Sequence, residues 1–566
     1  MSEAERSFTA AWWVVDELAR FGVEHACVSS GSRSTPLALA LSRHPHVRVH
    51  VHLDERASAF FALGIAKASG RPVVVACTSG TAVAELFPAV VEASLSRTAL
   101  VLLTADRPPE LRGVGANQTI DQPGIFGPYV RRSLDAPVPG EEPDEGKWRA
   151  LVRGLALAAM GLPPGPVHLN MPFREPLMAA AVDLRASVPS ETQHAVAAAP
   201  TEQEVGTLGV EIDSTERGLI LAGTMRESPA SLVELSRRAG WPLLAEPMSG
   251  NRMPGALRAG QFLIADERFA EEHVPEVILQ FGAAPTSRAG LELVHRAERL
   301  LVVDPDHLVA DPHRKASMTL RVDAAALEAE LVARLDPHDE TSWWRAWLDA
   351  DLLARAAVDA ELDRDPEPFE GRVARDLAAV LRAGSTLVVG SSSPVRDLDA
   401  YMAPREGLAV LANRGASGID GFVSTTLGIA AAGGRPTAAL CGDLTFLYDA
   451  GSLLWSAARG TDAIFVVLNN AGGRIFSLLP QRELPELDEL FVTPHGLDLG
   501  AVSRAAGAQH TVVESANGLV PAVRGAVERS GVRVIEVTID ADANGRRRNE
   551  ISSVVARELG SWIDRR

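Results

Sequence analysis

The chain has 566 residues, with 55 Lys and Arg against 73 Asp and Glu for a formal charge of −18, and 46% of it is hydrophobic. A soft measure of about 150 residues per domain gives three or four domains, each able to bury its own core, and the acidic balance excludes a nucleic-acid partner, whose phosphates require clustered Lys and Arg. Three cysteines without Cys-x-x-Cys spacing, a charged start at Met1 to Ser7 and no apolar run near the roughly 18 residues of a membrane span predict a cytoplasmic protein with reduced thiols, neither secreted nor membrane-inserted.

From the amino terminus, short apolar runs alternate with amphipathic stretches. Residues 26–29, 47–51, 72–77 and 99–104 read as buried strands. Residues 54–70 read as a helix with Ala57, Phe60, Phe61, Ile65 and Ala68 on one face, which puts Glu55 in its first turn. An acidic residue there is ordinarily a partner for the helix dipole, worth about 0.3–1 kcal/mol. Glu55 differs in that a strand leads straight into its helix, placing the carboxylate at a strand end. His46, Arg48, His50 and His52 alternate with Val47, Val49 and Val51. That is the polar face of a half-buried strand, and no third ligand is fixed by spacing, so a zinc site is not expected.

Residues 179–217, rich in Ala, Glu, Pro and Thr without a sustained period, read as a linker with room for one short helix. A middle block follows, with strands at 218–222, 276–281 and 300–303. Residues 336–368 are acidic, carry Trp343, Trp344 and Trp347, and are expected to pack a helix at the entry to the third block, whose first strand is 386–389. The pattern predicts an α/β protein of three domains, each a mostly parallel sheet flanked by helices. The domains are expected at 1–180, 218–335 and 336–566, with the linker at 181–217.

In the third block, the apolar run 438–441 ends in Gly442-Asp443-Leu444-Thr445, and the run 464–468 ends in Asn469-Asn470-Ala471-Gly472-Gly473. Ligands of open parallel sheets collect beyond the carboxyl ends of strands, so Asp443 and Asn470 are expected to meet. One carboxylate and one amide oxygen suit magnesium, which takes an octahedron of oxygens partly from substrate phosphates and water. The glycines let backbone N–H groups approach phosphate oxygens, and Thr445 adds a hydroxyl. Singly, each half is an ordinary turn. Together they resemble the thiamine-diphosphate signature, a Gly-Asp followed by paired asparagines. That cofactor needs a carboxylate to relay a proton through its aminopyrimidine ring, and Glu55 offers one. Positioned acid–base groups contribute about 10² to 10⁴ in rate, while the carbanion chemistry belongs to the cofactor.

Six further motifs run in order along the chain: Cys27-Val28-Ser29-Ser30-Gly31-Ser32-Arg33-Ser34-Thr35-Pro36, Asp54-Glu55-Arg56, Thr104-Ala105-Asp106-Arg107-Pro108, Gly115-Ala116-Asn117-Gln118-Thr119, Asn413-Arg414-Gly415-Ala416-Ser417-Gly418-Ile419-Asp420-Gly421 and Ile475-Phe476-Ser477-Leu478-Leu479-Pro480. Through them the chain resembles the SEPHCHC synthases of menaquinone (vitamin K2) biosynthesis, the MenD family; the middle third matches only loosely. The resemblance implies a three-domain thiamine-diphosphate-enzyme fold, with a pyrimidine-binding (PYR) domain first, a central domain, and a diphosphate-binding (PP) domain last. It implies a transferase that decarboxylates 2-oxoglutarate on thiamine diphosphate and adds the succinyl-semialdehyde carbanion equivalent to isochorismate in a 1,4-addition, giving SEPHCHC and CO2. It further implies Mg2+, or Mn2+, and a homodimer or dimer of dimers with sites between protomers; Glu55 and Asp443 lie in different domains, so the cofactor bridges two domains, and the sequence alone leaves pairing within one chain open.

Carried over residue by residue, the resemblance makes Glu55 catalytic and makes Asp443, Asn470 and the Gly472 carbonyl the metal ligands. Gly442, Leu444, Thr445 and Ile475 become cofactor contacts, and Ile419 the bulky residue that holds the cofactor folded. Ser32, Arg33, Arg107, Gln118, Arg288, Ser392, Arg396, Arg414, Phe476 and Leu479 become substrate contacts. Charge-assisted bonds from such arginines are worth about 1.5–3 kcal/mol, whereas outside these motifs each arginine would read as a surface ion pair. Phe476 and Leu479, three apart, would equally suit a core face. Two departures stand out. Ala471 occupies the place of a third asparagine, and Ala289 follows Arg288 where a second basic residue often stands. Two alternatives are a pyruvate-using decarboxylase or acetolactate-synthase-like enzyme, against which the arginines argue, and a catalytically silent relative, against which Glu55, Asp443 and Asn470 argue.

Overall fold

Three all-parallel sheets organise the chain in the computed structural model, which describes every residue except 141–143, 180–181, 183, 189–194, 230–231, 307–310, 338–339 and 457–459. The first sheet holds β1 His25–Ser29, β2 Arg48–His52, β3 Val73–Cys77, β4 Leu100–Asp106, β5 Arg132–Asp135 and β6 Val167–Pro172 in the order β2-β1-β3-β4-β6-β5. The second holds β7 Gly218–Ala222, β8 Leu243–Ala245, β9 Val277–Phe281, β10 Arg299–Val303 and β11 Ala316–Leu320 in the order β11-β10-β9-β7-β8. The third holds β12 Ser385–Val389, β13 Leu408–Leu411, β14 Thr437–Gly442, β15 Ala463–Asn469, β16 Gln509–Val513 and β17 Val532–Thr538 in the order β13-β12-β14-β15-β17-β16. The expected α/β class is what forms. Strand order reverses between β1 and β3 in the first sheet and between β12 and β14 in the third, so each opens a crevice beyond those strands' carboxyl ends, where ligands of such sheets bind.

The helix Glu55–Ser69 begins with Asp54 as its N-cap, accepting from the Ala57 N–H at 3.1 Å, and ends at Gly70 with φ 69°. Its Phe60, Phe61 and Ile65 are buried as expected, but Ala68 is exposed. This helix does not pack only on its own sheet. It crosses Phe422–Ala431 of the third domain, and Phe60, Phe61 and Leu63 share one core with Phe422, Leu427 and Phe465. Two glycines permit the approach: a Cβ on Gly64 would lie 2.1 Å from the Thr425 carbonyl oxygen, and one on Gly428 would lie 2.0 Å from that of Phe61. Gly64→Ala therefore meets rigid backbone, not a yielding side chain. We expect it to lower stability by about 3 kcal/mol or more, at the upper end of overpacking costs, despite alanine's better helix propensity. Chemical denaturation measures this.

Two expected segments differ. Part of the expected linker, 180–181, 183 and 189–194, lies outside the described residues. Within the remainder, Glu202–Ser214 is a 13-residue helix with a Thr201/Glu204 capping box, and its Val205, Leu208 and Ile212 enter the central core with Ile220 and Ala222. The tryptophan-bearing helix runs Ser342–Arg364, but Trp343 and Trp347 pack with Leu219 and Leu221 under the central sheet, together with Ile551 and Leu559 of the last helix, Ala541–Ile563. It buttresses the central domain and does not simply open the third.

Central and third domains are joined through Arg252. Its guanidinium donates to the Ala245, Asp399 and Met402 carbonyls at 2.9, 2.8 and 2.8 Å and faces Asp399 Oδ1 at 3.3 Å. Glu246 and Asp399 are fully enclosed beside it, and burial pushes Glu246 up to about 8, with Asp399 adding to the rise, while burial pushes Asp399 up to about 6. An unfolded glutamate loses its proton near pH 4.3, so between there and about pH 8 the folded state binds more protons at Glu246 than the unfolded state does. Stability contributed at this site is therefore lost as pH rises, at up to about 1.4 kcal/mol per pH unit. Glu246→Gln removes that slope. Its stability relative to wild type should climb from pH 5 to pH 8 in denaturation midpoints, and a constant difference would contradict the titration.

Candidate active site

Asp443 stands at the third-domain crevice, directly after β14. The expected Gly-rich turn is shorter than the motif suggested: the helix Asp443–Tyr448 starts at the aspartate, with Gly442 as N-cap, so Leu444 and Thr445 lie in its first turn. The Asp443 carboxylate accepts from the Leu444 N–H (2.6 Å) and the Gly472 N–H (2.9 Å). His495 Nδ1 accepts the Leu497 N–H at 3.0 Å, leaving Nε2 to donate toward Asp443 Oδ2 at 3.3 Å. Burial raises the Asp443 carboxyl, and these three donors oppose the rise. A carboxylate so enclosed favours a bound cation, which would return its charge to balance.

Asn470 follows β15, the neighbour of β14 in register Gly442 to Leu468. Its Nδ2 donates to Glu370 Oε1 at 2.7 Å, whereas Oδ1 is buried and has no hydrogen-bond partner among the described residues. An orphaned amide oxygen is costly unless something occupies it. Ala471 takes φ 59°, where asparagine is better tolerated than alanine. Gly472, at φ 134°, has no room for a side chain, since a Cβ would lie 2.3 Å from the Val492 carbonyl oxygen. Gly473 N–H donates to that same oxygen at 2.7 Å, closing the loop onto the π-helical turn Leu487–Val492. The carboxylate, the free amide oxygen and a close-packed glycine backbone fit a hard divalent cation with a diphosphate.

The loop 413–421 carries Arg414 and Ile419, both half-buried. It is fastened by the first domain: Glu92 accepts from the Gly415 and Ala416 N–H groups at 3.1 and 2.7 Å, and Lys67 donates to Glu92, the Ala412 carbonyl and Asn413 Oδ1 at 3.0, 2.8 and 3.1 Å. Burial first, then the nearby Arg396 charge, lowers the Arg414 guanidinium. Arg396 donates to the Ser392 carbonyl at 2.6 Å, and Ser392 sits at φ 73°, a strained conformation for a non-glycine residue of the kind that gathers at ligand sites.

A second arginine pair lies at the first-domain crevice. Arg33 (7% exposed) donates to the Phe173 carbonyl at 3.0 Å and to Glu175 at 2.8 Å, and Arg107 (9% exposed) donates to Ser79 Oγ. Burial and the Arg33 charge lower Arg107. Gln118, at φ 55°, exchanges bonds with Ser79, its Nε2 donating to the Ser79 carbonyl at 3.0 Å and its own carbonyl accepting from Ser79 Oγ at 3.1 Å. Ser32 is exposed on the loop after β1. Each pair sets one buried or half-buried arginine, Arg107 or Arg414, beside a second like charge, Arg33 or the exposed Arg396, an arrangement that favours a bound anion.

Glu55 is half-buried at the head of its helix, and burial, with Asp54 and Glu85 nearby, raises its carboxyl. Among the described residues no hydrogen bond or ion pair joins it to Asp443 or Asn470 of the same chain. Its neighbour Arg56 does reach the third domain, lying 3.4 Å from Asp449 and over the Tyr448 ring. Arg288 is exposed at the start of the helix Arg288–Arg296. Phe476 lies against Phe491, half-buried; neither it nor Leu479 belongs to a core cluster among the described residues, and Leu479 and Ile475 line the same short turn. Sequence reasoning missed Ser79, Glu92, His495 and Glu370. Only Ser79 had a signal, a Thr-Ser-Gly turn closing β3.

The chain matches three protein-family models: the N-terminal TPP binding domain of thiamine pyrophosphate enzymes over residues 8–125, the middle domain of thiamine pyrophosphate enzymes over 197–389 and their C-terminal TPP binding domain over 396–537. It is 43% identical to a 2-succinyl-5-enolpyruvyl-6-hydroxy-3-cyclohexene-1-carboxylate synthase of Thermobifida fusca, covering 96% of this chain and 98% of that one. A protein of the same name from Chloroflexus aurantiacus is 42% identical over 94% and 93% of the two chains. A benzoylformate decarboxylase from Polynucleobacter necessarius shares the fold, with a TM-score of 0.73 at 18% identity over 94% of this chain and 98% of that one.

Proposed function

We infer the reaction from one premise: the chain belongs to the thiamine pyrophosphate enzymes and, within them, to the SEPHCHC synthase family. It is a thiamine-diphosphate-dependent transferase of menaquinone biosynthesis. We propose 2-oxoglutarate as donor and isochorismate as acceptor, both multiply anionic. The observation that carries this choice is the pair of arginine pairs, Arg33 with Arg107 and Arg396 with Arg414, in which burial and the neighbouring cation lower Arg107 and Arg414. A monocarboxylate such as pyruvate needs no such concentration of charge.

When bound, thiamine diphosphate supplies the nucleophilic carbon and the electron sink. In the proposed assignment, Asp443, Asn470 Oδ1 and the Gly472 carbonyl hold Mg2+, with Gly442, Leu444 and Thr445 beside the diphosphate. Ile419 would keep the cofactor folded, and Ile475 would contact it. Glu55 Oε holds and returns a proton at the aminopyrimidine ring, a task suited to a carboxyl already raised by burial. Arg33, Arg107 and Gln118 orient one substrate's carboxylates, with Ser32 at the rim; Arg396, Arg414 and Ser392 orient the other's. Phe476 and Leu479 exclude water from the reacting end, and Arg288 is assigned an outer, steering role. We further propose that Glu55 serves the crevice of a partner protomer in a homodimer. Leu53, 69% exposed, and Tyr448, 55% exposed, lie beside these elements and favour a covering surface. Three buried free thiols, Cys27, Cys77 and Cys441, support a cytoplasmic setting.

Incubation with magnesium, thiamine diphosphate, isochorismate and either 2-oxoglutarate or pyruvate, read by mass spectrometry, tests the substrate choice. The 2-oxoglutarate adduct is the expected product. Faster turnover of pyruvate would replace it with the acetolactate-synthase-like alternative.

A further inference from the structure

We propose that Glu370 is the positioning residue that turns Asn470 Oδ1 toward the divalent cation, a proposal resting on the assignment of Asp443, Asn470 and Gly472 as the metal-holding set. A carboxamide has two nearly isosteric ends, one accepting and one donating, and a metal ligand must present the oxygen. Here Nδ2 donates to Glu370 Oε1 at 2.7 Å while Oδ1 is buried without a partner among the described residues. Were the amide reversed, its oxygen would face a carboxylate oxygen and its N–H groups would face the cation. One acceptor therefore fixes the orientation against both faults.

Glu370 is itself held from several elements. It opens the helix Glu370–Val380, and its backbone N–H donates to Asn544 Oδ1 at 3.1 Å. Its Oε2 faces Arg548 at 3.4 Å, and Arg548 lies 2.6 Å from Asp397 Oδ1. Asp397 belongs to the helix Ser393–Tyr401, and Asn544 and Arg548 belong to the last helix, Ala541–Ile563. Glu370 is 2% exposed and Asp397 fully buried. Burying two carboxylates around one guanidinium brings little or no net stability compared with an apolar packing. A task for the Glu370 acceptor accounts for its retention: the carboxyl end of β15 is aimed by a glutamate 100 residues earlier in the chain. Groups that orient metal ligands in this way typically change affinity about 10- to 100-fold when removed.

The test is calorimetric titration of thiamine diphosphate into apoenzyme over a series of magnesium concentrations. Glu370→Gln should weaken apparent magnesium affinity by about 10- to 100-fold, because the new amide cannot accept from Asn470 without turning its own N–H groups on Arg548. Asn470→Asp sets a carboxylate against Glu370 and should also bind poorly. Combining the two reverses the hydrogen bond, the glutamine now donating to the aspartate, and leaves the count of buried charges unchanged. The double variant should recover at least ~10-fold over the weaker single variant, a coupling no merely structural role predicts. Wild-type affinity in Glu370→Gln, or a double variant no better than its parents, would overturn the proposal. If Glu370→Gln does not fold, as judged by metal-free thermal melting, Glu370→Asp withdraws the acceptor while keeping the charge, and must show the same loss. Failure of the underlying metal assignment is distinguishable, since Asp443→Ala would then bind magnesium and cofactor normally.

Discussion

Asp443→Ala is expected to abolish magnesium-dependent uptake of thiamine diphosphate, a loss exceeding ~100-fold, since even residues that only orient metal ligands cost 10- to 100-fold. Asp443 is the carboxylate of the proposed cation-holding set, and its surroundings hold it in place. Two backbone N–H groups and His495 hold its oxygens, and burial makes its charge expensive in the absence of a counter-ion. Removing it leaves the Gly472 N–H without its acceptor and the orphaned Asn470 oxygen as the sole side-chain ligand. Titration calorimetry with and without magnesium reads the effect. Circular dichroism should stay unchanged, because the β14 and β15 cores around Leu440, Val466 and Leu468 do not depend on the carboxylate. Normal affinity would dismantle the proposed cradle.

Glu55→Gln should leave cofactor affinity near wild type while lowering kcat by about 10² to 10⁴, the range for a positioned acid–base group. The glutamine is nearly isosteric and can still hydrogen-bond to a ring nitrogen, so binding survives; it has no proton of suitable acidity to exchange. The helix is insensitive to the change. Asp54 supplies the N-cap, and the apolar face from Ala57 to Ile65 lies further along. Decarboxylation monitored by CO2 release, with calorimetry on the same preparation, separates the two effects. Unaltered turnover would remove the acid–base assignment, whereas lost binding with lost turnover would make Glu55 a structural contact.

The interior of each sheet was legible because buried parallel strands are continuous apolar runs: β3 and β4 are buried along their whole length. The edge strands β5, β8, β11, β13 and β16 went unrecognised for the opposite reason. Arg132–Asp135, Ala316–Leu320 and Gln509–Val513 are half exposed and mix polar with apolar residues, while Leu243–Ala245 and Leu408–Leu411 are apolar but only three and four residues long. β6 and β17 are interior yet interrupted by His168, Asn170, Arg533 and Glu536, polar groups whose partners only the tertiary fold supplies. The site divides in the same way. Asp443 and Asn470 end neighbouring strands and Glu55 opens a helix after a strand, so local pattern picks them out, whereas the arginines stand out only through the motifs of the family resemblance. Glu92 with Gly415, and Glu370 with Asn470, are 323 and 100 residues apart, and no local pattern announces such pairs. The tryptophans of Ser342–Arg364 announced a buried helix but not which sheet it would cover.

The glycine-to-backbone crossing of Gly64 over Thr425 and Gly428 over Phe61 makes the chain's two ends a single mechanical body, although more than 300 residues of polypeptide run between them. A proteolytic nick between residues 177 and 200 would thus yield two fragments that migrate as one particle under native conditions. Such a break would sever covalent continuity while leaving the interlocked lobes clasped, so native electrophoresis and denaturing electrophoresis would disagree about whether the molecule had been cut.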